Sequence, residues 1–486
     1  MAYSISNQVA LQKEKRNKDI LITILFYLTT LLLPSLAIGK ISFSEDNPIH
    51  IFQGITFKPE ESPTIPVFIL TVLIRSLLLF FLFHLRKNTK RMSKLGLSLF
   101  CLFLVYRLVS LFYFPYGKLD FVVHPQNGAS DVTLLFPGLS IYDRISEFVY
   151  ESLFALYFLF AFNYAKELPS LADKFLLVIL KAFIALGVWT RLYSIAFERS
   201  QVIESIKRII HADFSFFCSV SSFTSNKNVA GFFVLVCAFS CLLLFSRRPS
   251  YIYRIIYFLT IPYTVILQSR TPLILLLICG FLFGLLYPFF NFKKNKGYSV
   301  AFIIITALVL IVLISTYIIK ADQINKRIHA FFEKGTVGSR FALISTSFDL
   351  FYHREIYLLT GLGKRPFAYL IGAYRSAIAL NDAVYHTSHN AFLDIFFTQG
   401  VLSLLLALAL SVYLLVLCFK IGKQNKWMSF TRILIYLSCL VYSFMEPRGL
   451  FLREGNIVFF IFLNLLPIFF LANQTNRNKK ILTEGL

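Results

Sequence analysis

The chain has 486 residues, 57% of them hydrophobic and 15% charged, with a net charge of +23 and a mean hydropathy of +0.69. A soluble core of this size does not need so much apolar sequence, and it comes in blocks of about 20 residues, the length that spans a bilayer as a helix. The Lys and Arg residues sit in short clusters between those blocks, a topology-setting pattern beside anionic lipid that argues against a nucleic-acid partner.

These features predict an all-α polytopic membrane protein, a single membrane domain over residues 1–486 with about 12 transmembrane helices. The expected spans are approximately 20–39, 65–85, 95–114, 146–165, 173–196, 229–246, 252–268, 271–291, 299–319, 391–418, 430–446 and 455–472. The first block follows a basic, polar stretch and is long enough to span, so it reads as a transmembrane helix rather than a cleaved signal. The turn at Gln268-Ser-Arg-Thr-Pro272 is very short for a helix pair.

Every second connection is basic, from Lys13/Lys15/Arg16/Lys18 through Arg247/Arg248/Arg254 and Lys293/Lys294/Lys296 to Arg477/Lys479/Lys480. The alternate ones carry the acids Glu45, Asp46, Glu60, Glu61, Asp120, Asp131, Asp143, Glu198, Glu204 and Asp213. This alternation predicts both termini in the cytoplasm. The seven cysteines are scattered, nearly all in apolar blocks and without a CxxC pair, and read as packing residues.

Residues 320–390 form a polar excursion between the ninth and tenth spans. The alternation places this large loop on the extracytoplasmic side. It carries Lys320, Lys326, Arg327, Lys334, Arg340, Arg354, Lys364, Arg365 and Arg375 with few acids. An anionic ligand accounts for that charge; so does a solvated loop beside anionic headgroups. Ile324–Glu333 and Ser339–His353 read as short helices, and Gly361-Leu-Gly-Lys-Arg-Pro366 as a turn.

Four polar clusters fall on the predicted outer side: Phe223-Thr-Ser-Asn-Lys-Asn228, Gln268-Ser-Arg270, Gly338-Ser-Arg340, and His386 with His389-Asn390. Arginine is suited to diphosphate, because its planar fork donates two parallel hydrogen bonds and stays charged. Arg270, between two long apolar blocks, is a candidate for that role or a side chain snorkelling to headgroups. His389 is a candidate general base, since histidine transfers protons at neutral pH; a helix cap or surface residue is the plainer alternative. His386 and His389 are spaced i, i+3 but have no clear third ligand, so no metal site is assigned. No Asp-x-Asp pair of the kind that holds a metal–sugar-nucleotide diphosphate is present. Arg191, in the outer half of its span, is a third candidate cation or a partner for Glu151 or for backbone carbonyls.

In chain order, Thr-Ser-Asn-Lys-Asn before a helix, Ser-Arg at a helix end, Gly-Ser-Arg in a large outer loop, Gly-Leu-Gly, and His389-Asn390 followed by nine residues and Gly400 resemble the bacterial O-antigen ligase and polysaccharide polymerase family. The likeness covers roughly residues 214–405, with Ser403 where the second signature glycine is expected. The resemblance implies an integral-membrane glycosyltransferase of the bacterial cytoplasmic (inner) membrane that uses no metal or other cofactor. Its donor would be an undecaprenyl-diphosphate-linked glycan, and its acceptor a glycan or lipid A–core hydroxyl.

By position, Arg270 and Arg340 match the cations that hold the donor diphosphate and His389 the residue that activates the acceptor. Arg191, Asn226, Lys227, Asn228 and Asn390 are further substrate-binding candidates. Ligase and polymerase remain undivided, and a multi-spanning transporter or flippase of lipid-linked glycans is the alternative. In the re-entry stretch, Thr387 or Ser388 is expected to cap the helix, with His389 in its first turn and Gly400 and Ser403 permitting close helix packing.

Overall fold

The computed structural model describes the chain between residues 101 and 446; its continuous parts are 119–126, 130–136, 169–210, 227–293, 296–305, 336–352, 354–378, 388–420 and 426–446. The expected spans at 20–39, 65–85 and 455–472 lie outside the described residues, as do Ile324–Glu333, Glu151, Asn226, His386 and Thr387. The side chains of Lys227, Asn228 and Arg340 also fall outside the description.

The described chain is mostly helical. After the strands β1 (Leu119–Val123) and β2 (Val132–Phe136) come α1 (Pro169–Phe197), α2 (Arg199–Ile210), α3 (Lys227–Arg247), α4 (Tyr251–Ile266) and α5 (Arg270–Asn291). Helix α6 (Lys296–Ile305) precedes α7 (Thr336–Asp349), α8 (Glu355–Thr360), α9 (Lys364–Ala377), α10 (Ala391–Lys420) and α11 (Lys426–Met445). Among the described residues, Ala230–Arg247, Arg270–Asn291, Ala391–Val416 and Lys426–Met445 are long and apolar enough to cross a membrane. The short Gln268 turn does separate two helices: Gln268 takes φ +50° and its N–H donates to Val265 O at 2.9 Å.

The main core joins α1, α3, α4, α5, α10 and α11. Helix α3 is apolar on all sides, as a helix wrapped by others must be, and Val234–Phe245 is buried without a break except for polar but equally buried Ser240. Gly187 lets α1 approach α3 closely, because a Cβ there would lie 2.7 Å from Cys237 Sγ. Toward the far end of the bundle Phe283, Tyr287 and Trp427 interlock, with the Phe283 and Trp427 rings 4.6 Å apart.

A second core lies in β1, β2, the segment from α7 to α9 and the start of α10. The strands pair antiparallel, Phe121 opposite Leu134. Phe121, Val123, Leu134 and Phe136 are buried while Asp120, Thr133 and Leu135 are exposed, the period of two that a one-sided sheet requires. The hairpin departs from the all-α expectation: each strand has five residues, too short to register beside helical blocks of about 20. It is held by the Arg354 guanidinium, 3.9 Å from the Phe121 ring centroid and donating to Val122 O, and by the Tyr369 hydroxyl on Leu135 O at 3.1 Å. Burial of Arg354 lowers its pKa from the usual guanidinium value, since desolvation penalises the charge.

Helix α10 is broken at Gly400, with φ +79° and ψ 176°. The break leaves carbonyls of the preceding turn without helical donors. Two are met from the α8–α9 junction: Leu362 N–H donates to Phe397 O at 2.9 Å and Gly363 N–H to Thr398 O at 3.1 Å. The Tyr106 hydroxyl lies 2.9 Å from Gln399 O and also reaches Leu359 O. So the Gly361-Leu-Gly turn caps a half-helix, and Gly400 is a backbone break as well as the close-approach residue expected, because α8 comes too near for a Cβ there. Ser403, just below it, is 4% exposed and does lie in a packed interface.

Candidate active site

One end of the bundle gathers the starts of α3, α5 and α10 and the end of α11. At Gly231, in the first turns of α3, an added Cβ would meet Ser269 Cβ at 2.8 Å, immediately before α5. Phe232 of α3 stacks on Tyr442 of α11 at 5.0 Å. Phe444, two residues on, stacks on Phe392 in the first turn of α10 at 4.8 Å.

His389 sits at this end. It precedes α10 instead of lying in its first turn, and it adopts φ +56°, a left-handed conformation that costs a non-glycine residue energy unless its surroundings enforce it. They do. Asp394 Oδ1 accepts the Ser388 N–H at 2.8 Å and the Ser388 hydroxyl at 2.7 Å. On the other side Asn390 Oδ1 accepts the N–H groups of Phe392 and Leu393, both at 3.0 Å. Asn390 is therefore the N-cap, the part expected of Thr387 or Ser388. Ser388, Asn390 and Asp394 are all buried, so the turn that carries His389 is clamped from both ends.

The His389 Nδ1 lies 3.4 Å from Glu446 Oε2, with the imidazole side chain 21% and the carboxylate side chain 4% exposed. Glu446 follows the last turn of α11 and donates its N–H to Tyr442 O at 2.8 Å. Sequence reading missed Glu446. The signal was present, since an acid at the end of an apolar span is a functional candidate by default.

Arg270 is the first residue of α5 and is exposed. Ser269 takes the N-cap position without a side-chain capping bond, at the positive end of the α5 dipole. Lys227 and Asn228 open α3 at the same end, and Arg340 lies in the first half of α7. Arg191 is not at this end's surface. It is 9% exposed inside the bundle, donating Nε to Gly187 O at 2.9 Å and contacting Ile256 O and Cys237 Sγ at 3.4 and 3.3 Å. Backbone carbonyls are thus its partners, as one of its three sequence readings had it. Among the described residues, no group of three or more His, Cys, Asp or Glu side chains is placed to hold a metal ion.

The clamped histidine, the adjacent buried carboxylate and the arginine at a helix start lie at one bundle end. No curated protein matches the chain. Residues 255–408, from α4 into the second half of α10, match the family model of O-antigen ligase, and the segment includes Arg270, Arg340, His389 and Asn390. Over that segment the chain is similar to the O-antigen ligase family.

Proposed function

We propose that this protein transfers a glycan from an undecaprenyl-diphosphate-linked donor to an acceptor hydroxyl at the outer face of the bacterial cytoplasmic membrane. The acceptor is lipid A–core for a ligase or another lipid-linked glycan for a polymerase. The observation that carries this reading is His389, held in a left-handed turn against Glu446 at the bundle end where α5 begins with Arg270.

The chemistry follows from those groups. The acceptor oxygen attacks the anomeric carbon as the bond from that carbon to the diphosphate oxygen breaks. His389 takes the acceptor's proton on Nε2, while Glu446 faces Nδ1, fixes the tautomer and steadies the imidazolium that forms. The lipid diphosphate leaves with the negative charge. Arg270, the positive end of the α5 dipole and Arg340 stabilise that charge as it develops. Lys227, Asn228 and Asn226 are further donor contacts. Asn390 acts by capping α10, and Arg191 by bracing α1 against α3 and α4. The cations of the protein do the work that a metal does for nucleotide-sugar diphosphates.

Twelve spans, cytoplasmic termini and an outer loop over 320–390 complete the proposal. They put His389 and Arg270 at headgroup level on the outer side, where the donor's diphosphate lies. Purified protein supplied with a lipid-diphosphate glycan and candidate acceptors, without nucleotide or added metal, should release the lipid diphosphate. No release with any acceptor would sink the reading. Equal rates in wild type and His389→Ala would remove the base, and full activity in both Arg270→Ala and Arg340→Ala would remove the diphosphate clamp.

A further inference from the structure

The bundle end opposite His389 holds a feature that glycan transfer does not use. An open apolar cleft lies between α3, α4, α5 and α6, lined by Phe245, Ile261, Leu277, Gly280, Phe283 and Phe302 among others. Its one charged lining residue is Arg254. The Arg254 guanidinium carbon lies 4.3 Å from the Tyr251 ring centroid, 4.6 Å from Tyr298 and 5.9 Å from Phe302. These ring faces hold the cation beside the cleft instead of letting it extend freely into solvent.

Nothing on the described neighbouring helices neutralises it. No Asp or Glu occurs between Lys227 and Ile305, and among the described residues no carboxylate pairs with Arg254. Arg247, Arg248, Lys293 and Lys296 flank the same end, in and beside the α3–α4 and α5–α6 connections. An apolar slot in a membrane bundle beside a fixed, unneutralised cation has the chemistry of an anionic amphiphile. The hydrocarbon chain takes the slot and the phosphate takes the guanidinium.

We infer that the cleft binds an anionic phospholipid from the leaflet at the basic end of the bundle, its phosphate on Arg254 and an acyl chain between α4 and α5. A zwitterionic lipid offers the same chain, but its own ammonium offsets the phosphate, so the site discriminates by charge. The lipid lies against α4 one helix length from Arg270, so its binding is independent of donor and acceptor.

Native mass spectrometry of the full chain released from detergent, loaded with phosphatidylglycerol, phosphatidylcholine or polyprenyl phosphate, tests this. Phosphatidylglycerol should be retained in preference to phosphatidylcholine. Arg254→Gln should lower its retention by about fivefold with phosphatidylcholine unchanged. Leu277→Trp, which fills the cleft from its lipid-exposed side without touching charge, should lower retention of both. Equal retention of the two phospholipids by wild type overturns the site, as does wild-type retention of phosphatidylglycerol by Arg254→Gln. Binding of polyprenyl phosphate but not phosphatidylglycerol also overturns it. Should Arg254→Gln not fold, Leu277→Trp decides: undiminished phosphatidylglycerol retention ends the proposal.

Discussion

His389 Nδ1 faces Glu446 Oε2 across 3.4 Å, joining the turn before α10 to the residue after α11. That separation is longer than a charge-assisted hydrogen bond, and catalytic contacts of this kind tighten when substrate binds. If Glu446 orients the imidazole, Glu446→Gln should lower kcat by roughly 10²-fold, the scale on which small misplacements of a reacting group act. KM for the donor should change little. His389→Ala should cost roughly 10²–10⁴-fold. Steady-state glycan transfer in detergent reads both; a Glu446→Gln enzyme with wild-type kcat would remove the orienting role.

Asp394 is buried and sets the His389 backbone through Ser388. Asp394→Ala leaves the buried Ser388 N–H without its acceptor, a loss of about 1–3 kcal/mol. The expected result is a lower Tm together with reduced transfer. Asp394→Asn keeps an acceptor at the Oδ1 position and should recover most of the Tm. Identical thermal unfolding of Asp394→Ala and wild type would contradict the clamp.

The break at Gly400 has no tolerance for a side chain. Its φ is +79°, and an added Cβ would lie 2.5 Å from the Leu359 carbonyl carbon and from Tyr106 Oη. At Gly361, φ +71°, the Cβ would lie 2.5 Å from Gln399 N. Each contact is with backbone or with a hydroxyl already engaged there. Gly400→Ala should therefore destabilise by at least about 2 kcal/mol and sharply lower the yield of monodisperse protein. Ser403→Gly should be mild by the same assay. Wild-type yield and Tm for Gly400→Ala would show that α10 can straighten.

The second core should fail in alkali. The Tyr374 hydroxyl donates to Asp349 Oδ2 at 3.0 Å, and burial first, then the hydrogen bond to Asp349 and its charge, raise the phenol's pKa. A raised folded pKa means the phenol's contribution to stability is fully present below its unfolded value, about 10. It is lost as pH climbs from there toward the folded value. Tyr374→Phe should flatten that loss. Hydrogen exchange of α7 and α9 at pH 8 and pH 11 measures it; equal protection at both would count against the pairing.

The positions of α1, α3, α4, α5, α10 and α11 were legible in the sequence to within a few residues, because apolar blocks of bilayer length report helices whatever packs beside them. Polar residues at their ends stood out for the same reason: a bilayer leaves few places for His389, Arg270 or Asn390. The loop helices α8 and α9 were less readable, since their faces are apolar only toward a core assembled from distant segments. That core also draws in β1 and β2, about 230 residues earlier in the chain.

Tertiary structure alone decided what the motif residues do. The sequence offers Gly400 as a small residue in an apolar helix; the carbonyls of Phe397 and Thr398, met by Leu362 and Gly363, make it a capped break. It offers Arg191 as a membrane cation with several fates; the carbonyls of Gly187 and Ile256 make it a brace. Composition and spacing determined which polar residues this membrane protein holds at the ends of its apolar blocks. The pairing of His389 with Glu446, 57 positions apart, required two helices to end side by side, and periodicity along one chain carries no information about which ends meet.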